Sequence, residues 1–207
     1  IERNINISDF FKNALYQPNN PKLLLEVINE ITNSDYRSFE FFSSDIYEIF
    51  ILIFKPECLF LATDITIELA NNSTYGANNL IFDNGFDIMN EALNDDFPFI
   101  NNFIQIVKSI LNKCDDQILY PNQISLLTLL HLLFFKCERN SYSDLIFCFR
   151  KLLDKTSFKP SIALPNAIFE KILSAFEDTY EPDQEYFLLF NSILFHNNMD
   201  EDEKYKN

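Results

Sequence analysis

Glycine is nearly missing from this chain: two residues of 207, Gly76 and Gly85. Glycine supplies positive φ in tight turns and lets backbone approach a phosphate closely. A chain with so little of it is a poor candidate for a β-rich fold or a nucleotide-cradling loop. It suits helices joined by loops built from Asn, Asp, Ser and Pro. Tryptophan is absent altogether. So is any Lys or Arg between Lys55 and Lys108, an interval that carries Glu57, Asp64, Glu68, Asp83, Asp87, Glu91, Asp95 and Asp96. With a net charge of −15, such a field repels nucleic acid and anionic membrane and favours a basic partner. The plainer reading of the same acid is solubility.

Catalytic signatures are missing too. The chain contains no H-E-x-x-H, G-x-S-x-G, G-x-G-x-x-G or P-loop pattern. His131 lies in an apolar helical run and His196 near an expected helix end, without ligand-pair spacing. The acidic run Asp200 to Glu203 lacks the turn glycine and alternating ligands of a calcium loop. No metal, no cofactor and no enzymatic activity are expected. Cys58, Cys114, Cys137 and Cys148 form no C-x-x-C pair and sit in apolar helical patterns. They read as buried free thiols of a reducing, intracellular compartment. The longest apolar runs, Ile49 to Phe54 and Leu126 to Phe135, fall short of the roughly 20 residues that span a bilayer. No membrane insertion is expected. The chain opens on Ile1 rather than Met, so a targeting segment ahead of it would not be visible.

What is present is helical periodicity. A helix is expected from Ser8 or Asp9 to Tyr16, and a second from Pro21 to Asn33 with Leu24, Val27, Ile28 and Ile31 at i, i+3, i+4, i+7. A short helix can follow over Arg37 to Phe42. Ile46 to Phe54 is apolar on nearly every side, a buried helix or else a strand. Pro56 opens a helix to Asn71 that turns Leu59, Ala62, Ile65, Thr66 and Leu69 inward. Asn78 to Phe82, a turn at Gly85, Phe86 to Leu93, a loop at Asp95-Asp96, and a long helix from Pro98 with Phe103, Ile106, Val107, Ile110, Leu111 and Cys114 inward form the best-defined unit. Beyond Pro121, helices are expected from Asn122 to Cys137, from Asp144 to Lys155, from Pro165 to Phe176 and from Pro182 to Asn197, with a loop around Pro160 and a charged, frayed tail over 199–207. Pro21, Pro56 and Pro98 each open a long helix. A helical pair exposes an apolar face that the next pair covers, so such units stack.

The segment Ala77 to Gln117 resembles an armadillo repeat of the importin-α (karyopherin-α) kind. The likeness rests on the short helix ending in Asp83-Asn84-Gly85, the amphipathic helix after it, and the long third helix broken at Pro98. The resemblance implies an all-α, right-handed α-solenoid of about five armadillo/HEAT-like repeats at roughly 40 residues each. One domain over 1–198 is expected, with approximate repeats 8–34, 37–73, 75–116, 121–156 and 165–197, then the tail 199–207.

In that family an Asn on each third helix bonds the backbone of an extended peptide, and a Trp one turn earlier packs its side-chain stems. The apolar-x-Asn pattern occurs here at Asn33, Asn71 and Asn112, with Asn29, Ile67 and Lys108 at the Trp place. Glu30, Glu68 and Ser109 lie three residues back and Glu26, Asp64 and Gln105 seven back, on the same helical face. The three Asn read either as a binding ladder or as helix ends, where Asn is common. The peptide-binding candidates are Asn33, Asp64, Glu68, Asn71, Gln105, Lys108 and Asn112. The function implied is a non-enzymatic adaptor, cytoplasmic and nuclear, that holds an extended basic protein segment on a concave face in the manner of an importin-α-like carrier. Its rival is a structural segment of a larger helical-repeat assembly with no groove ligand.

Overall fold

Among the described residues, the i, i+3, i+4 spacing of apolar residues becomes helix. A computed structural model describes residues 21–34, 42–94, 98–156, 158–178 and 180–204, with backbone alone at 34 and 196–204. The described residues form eleven α-helices and three 3-10 turns, and no strand. The helices are α1 (Pro21–Ser34), α2 (Ile46–Phe50), α3 (Leu59–Asn72), α4 (Thr74–Phe82), α5 (Gly85–Asn94), α6 (Ile100–Lys113), α7 (Asp116–Lys136), α8 (Tyr142–Lys155), α9 (Pro160–Ala163), α10 (Asn166–Glu177) and α11 (Gln184–Lys204). The helix expected over 8–16, the short one over 37–42 except Phe42, and the Asp95-Asp96 loop lie outside the described residues.

Five of these helices recur at near-constant intervals. The helices α1, α3, α6, α8 and α11 begin at residues 21, 59, 100, 142 and 184, which is 38, 41, 42 and 42 residues apart, and the first four are each 14 residues long.

The chain packs as two compact units, Ile1–Gly85 with Asn112–Asp115, and Phe86–Leu111 with Asp116–Asn207. In the first unit α3 packs against α1, α2 and α4. Its core holds Leu25, Ile28, Ile46, Ile49, Phe50, Leu59, Ala62, Ile65 and Leu69. The inward stripe expected on α3 is the stripe that is buried. On α1 the register differs from expectation: Leu25 and Ile28 are buried, whereas Val27 is 42% exposed. The all-apolar run is helical, with α2 tightening into a 3-10 turn over Ile51–Phe54. Ser73 caps α4, its Oγ accepting from the Gly76 N–H at 3.0 Å, a cap worth about 1 kcal/mol.

The turn before α5 works differently from the expectation that Gly85 would supply it. The residue with positive φ is Asn84 (φ 62°), a position Asn tolerates better than most residues. Gly85 is needed for space: a Cβ there would stand 2.6 Å from the Leu80 carbonyl oxygen.

In the second unit α8 packs against α7, α9 and α11. The expected inward residues Leu145, Ile146, Phe149, Leu152 and Leu153 are buried, as are Phe103, Ile106, Val107 and Ile110 of α6. Phe134 stacks on Tyr142 with ring centroids 4.6 Å apart. Pro121 does not start a new helix. It lies inside α7, where its ring deletes one backbone donor. Asn122 Nδ2 donates to the neighbouring Ile118 carbonyl at 3.0 Å, and burial of Leu119, Leu126, Leu129, Leu130 and Leu133 holds the helix together across the proline. The joined helix is 21 residues and, by length and composition, apolar enough to cross a membrane, which separate runs are not; 33% of that stretch is buried. At the C-terminal side α11 continues to Lys204, past the expected end at Asn197.

The cysteines are free thiols, with Cys58, Cys114 and Cys148 buried and Cys137 half-buried. Burial raises the Cys148 thiol well above its ordinary value and pushes Cys137 up to about 11. His131 is satisfied within the fold, its Nε2 2.9 Å from the Ala163 carbonyl oxygen.

Candidate functional site

The candidate residues fall on the recurring 14-residue helices. In the first unit α1 and α3 lie against each other in matching register. Glu26 and Glu30 are the sixth and tenth residues of α1, Asp64 and Glu68 the sixth and tenth of α3, and all four are exposed. Each i, i+4 pair lies along one helical face, about 6 Å apart in axial rise. No cation among the described residues pairs with any of the four. Like-charged pairs at this spacing cost a few tenths of a kcal/mol each. The arrangement therefore sacrifices a little stability to keep a negative face.

The three Asn candidates also share a register, as the thirteenth residue of α1, α3 and α6. Asn33 and Asn112 are exposed and Asn71 is half-buried. Among the described residues none of the three side chains makes a hydrogen bond. Asn72 makes the helix-end contact on α3 instead, its Nδ2 donating to the Glu68 carbonyl (2.9 Å) and to Glu68 Oε2 (3.0 Å). Other Asn residues are consumed by the fold. Asn78 donates to Asp115 Oδ2 at 2.6 Å and accepts from the Asp115 N–H at 3.0 Å. Asn79 donates to the Ser43 carbonyl at 3.2 Å.

Beside the acid pair on α1 lies a surface cavity of about 660 Å³ lined by Glu26, Val27, Glu30 and Ile31.

In the second unit Gln105 and Lys108 are drawn together by a residue that the sequence reading did not select. Asp144 of α8 accepts from Gln105 Nε2 at 2.6 Å and from Lys108 Nζ at 2.5 Å. Lys108 is the ninth residue of α6, and the ninth residue of α8, Arg150, repeats the device. Its Nε donates to Glu185 Oε2 at 2.9 Å and its Nη2 to Glu185 Oε1 at 3.3 Å, while Nη1 reaches Asp154. The side chains of Arg150 and Glu185 are only 14% and 22% exposed. Lys108, Arg150 and Lys151 all stand within 5.2 to 5.6 Å of the Phe147 ring centre. A signal for Arg150 was present: extending the 42-residue interval from Lys108 leads to the ninth residue of the next recurring helix, which is basic.

Further bonds within this unit tie Ser141 to Asn101 (2.7 Å), Ser143 to Asp183 (2.8 Å), Lys155 to Asp116 (2.6 Å) and Ser192 to Asp154 (2.9 Å). The Glu185 N–H and the Ser143 hydroxyl both donate to Asp183 and hold its carboxyl below the ordinary range. Across both units, the side-chain bonds named here that link different helices span 32 to 40 residues of sequence.

Among the described residues no group of three or more His, Cys, Asp or Glu side chains is placed to hold a metal ion. Compared with known proteins, the chain matches no protein family, no curated protein and no solved structure.

Proposed function

We propose that the protein is a non-enzymatic scaffold of armadillo/HEAT-like repeats that binds an extended, basic protein segment on α1 and α3 of the first unit, as an importin-α-like carrier would. The observation that carries the reading is the matched acid on α1 and α3, Glu26 with Glu30 and Asp64 with Glu68, exposed and answered by no cation among the described residues. Support also comes from the 38- to 42-residue recurrence of helices, and from the unengaged amides of Asn33, Asn71 and Asn112, each with donors and acceptors suited to an extended backbone.

Lys108, which on sequence argues against a basic ligand, has its charge answered by Asp144. The first unit then offers two carboxylates on each of α1 and α3 to Lys and Arg heads, with the Asn33 and Asn71 amides one turn further along each helix. Titrating the whole chain with a Lys/Arg-rich peptide tests this. The expected result is binding that weakens steeply with salt and is lost in the Asp64→Lys/Glu68→Lys variant. Absence of binding at low salt would sink it.

One observation favours the second reading, a structural segment of a larger assembly. Phe187, Leu194 and Phe195 of α11 are half or more exposed. Self-association seen by light scattering, with the acidic residues replaceable at no cost, would select that reading.

A further inference from the structure

The cavity on α1 is more than an acidic surface. Val27 and Ile65 occupy the same place in their helices, 38 residues apart, yet Ile65 is buried at 1% exposure and Val27 is 42% exposed. Val27, Ile31, Glu26 and Glu30 all line the cavity. The cavity thus presents two apolar side chains beside two carboxylates, and Asp64 and Glu68 follow on the adjoining helix.

We infer that this cavity takes one apolar side chain of the partner segment, flanked by its Lys or Arg residues. The partner is then distinguished from any merely basic peptide by that anchor. This rests on the basic-segment reading above and narrows it. Charge decides the occupant. A second copy carries another net charge of −15, whereas a segment with Lys beside Leu satisfies the carboxylates and the apolar side chains together. The two kinds of contact also separate by physics: ion pairing at exposed carboxylates is screened by salt, and burial of an apolar side chain is not.

The test uses two synthetic peptides of equal charge, Lys-Lys-Leu-x-Lys and Lys-Lys-Ser-x-Lys, titrated against the whole chain at low and high salt. The Leu peptide is expected to bind about tenfold tighter, the effect of burying one aliphatic side chain, with a ratio unchanged by salt. In Val27→Ser, checked for an unchanged melting curve, the ratio falls towards one. In Glu26→Gln/Glu30→Gln both peptides weaken alike and the ratio persists. Equal affinity of the two peptides for the unaltered protein overturns the anchor and leaves the basic-segment reading standing. Failure of both peptides to bind at low salt removes that reading, and the anchor with it. A concentration-dependent dimer that Val27→Ser dissolves gives the face to a second copy and overturns the inference.

Discussion

The two units treat their carboxylates in opposite ways. In the second, acids face cations: Asp144 holds Lys108, Glu185 and Asp154 hold Arg150, Asp178 meets Arg139, and Asp116 meets Lys155. In the first, the ninth residues of the recurring helices are Asn29 and Ile67 rather than cations, and the acids of α1 and α3 face outward. Charge in the second unit is spent on joining one helix to the next. The four acids of α1 and α3 are left for something else. Similar helical spacing thus serves cohesion in one unit and a negative surface in the other.

If the units are separate cooperative bodies, the largest effects should stay inside each. Phe149→Ala empties a fully buried site in the second unit, a change of about 3–5 kcal/mol. Hydrogen exchange should then quicken in α7 and α8 and stay unchanged in α3. Quickening in both would erase the division.

Arg150→Met leaves Glu185 half-enclosed without its guanidinium and is expected to cost about 2 kcal/mol, the scale of a hydrogen-bonded charge. By contrast Asp64→Asn and Glu68→Gln should change stability by about 0.5 kcal/mol or less, in the stabilising direction because repulsion is relieved. Chemical denaturation of the three variants checks both signs. A loss of stability on neutralising Asp64 would show that the first unit also uses its acid internally.

At the junction, Gly85→Ala forces a methyl group against the Leu80 carbonyl, with an expected cost of about 1–3 kcal/mol. Asn84→Gly, which keeps the left-handed turn, should be nearly silent in the same melt.

The smallest effect is that of pH. Asp183 has a folded value below its unfolded one, so the stability it contributes is present above the ordinary carboxylate range. It is lost as pH falls through the depressed value, below about pH 4. Ser143→Ala should move the Asp183 titration, followed by carboxyl NMR, upward. An unmoved titration would leave the Glu185 N–H as the whole cause.

The inward stripes of α3, α6 and α8 were legible because apolar side chains at i, i+3 and i+4 have one energetically reasonable destination. Three features were not. Pro121 reads as a stop, but an Asn side chain and five buried leucines on one helix outweigh a single missing donor. Gly85 reads as a flexible turn, because the crowding by Leu80 appears only when the two helices meet. Val27 reads as core, since periodicity gives a helix its apolar side without saying which part of that side another helix covers. The candidate acids and amides could be picked by register. The fate of Lys108 could not, because its partner lies 36 residues away and no local pattern selects it.

The near-constant span of the bonds between helices has a consequence for how the chain folds. Closing a loop costs entropy that grows as the logarithm of its length, so spans of 32 and 40 residues differ by only about 0.2 kcal/mol. No contact of this set must wait for a distant part of the chain to arrive. Each of these contacts closes at a cost set by one loop length rather than by the number of helices.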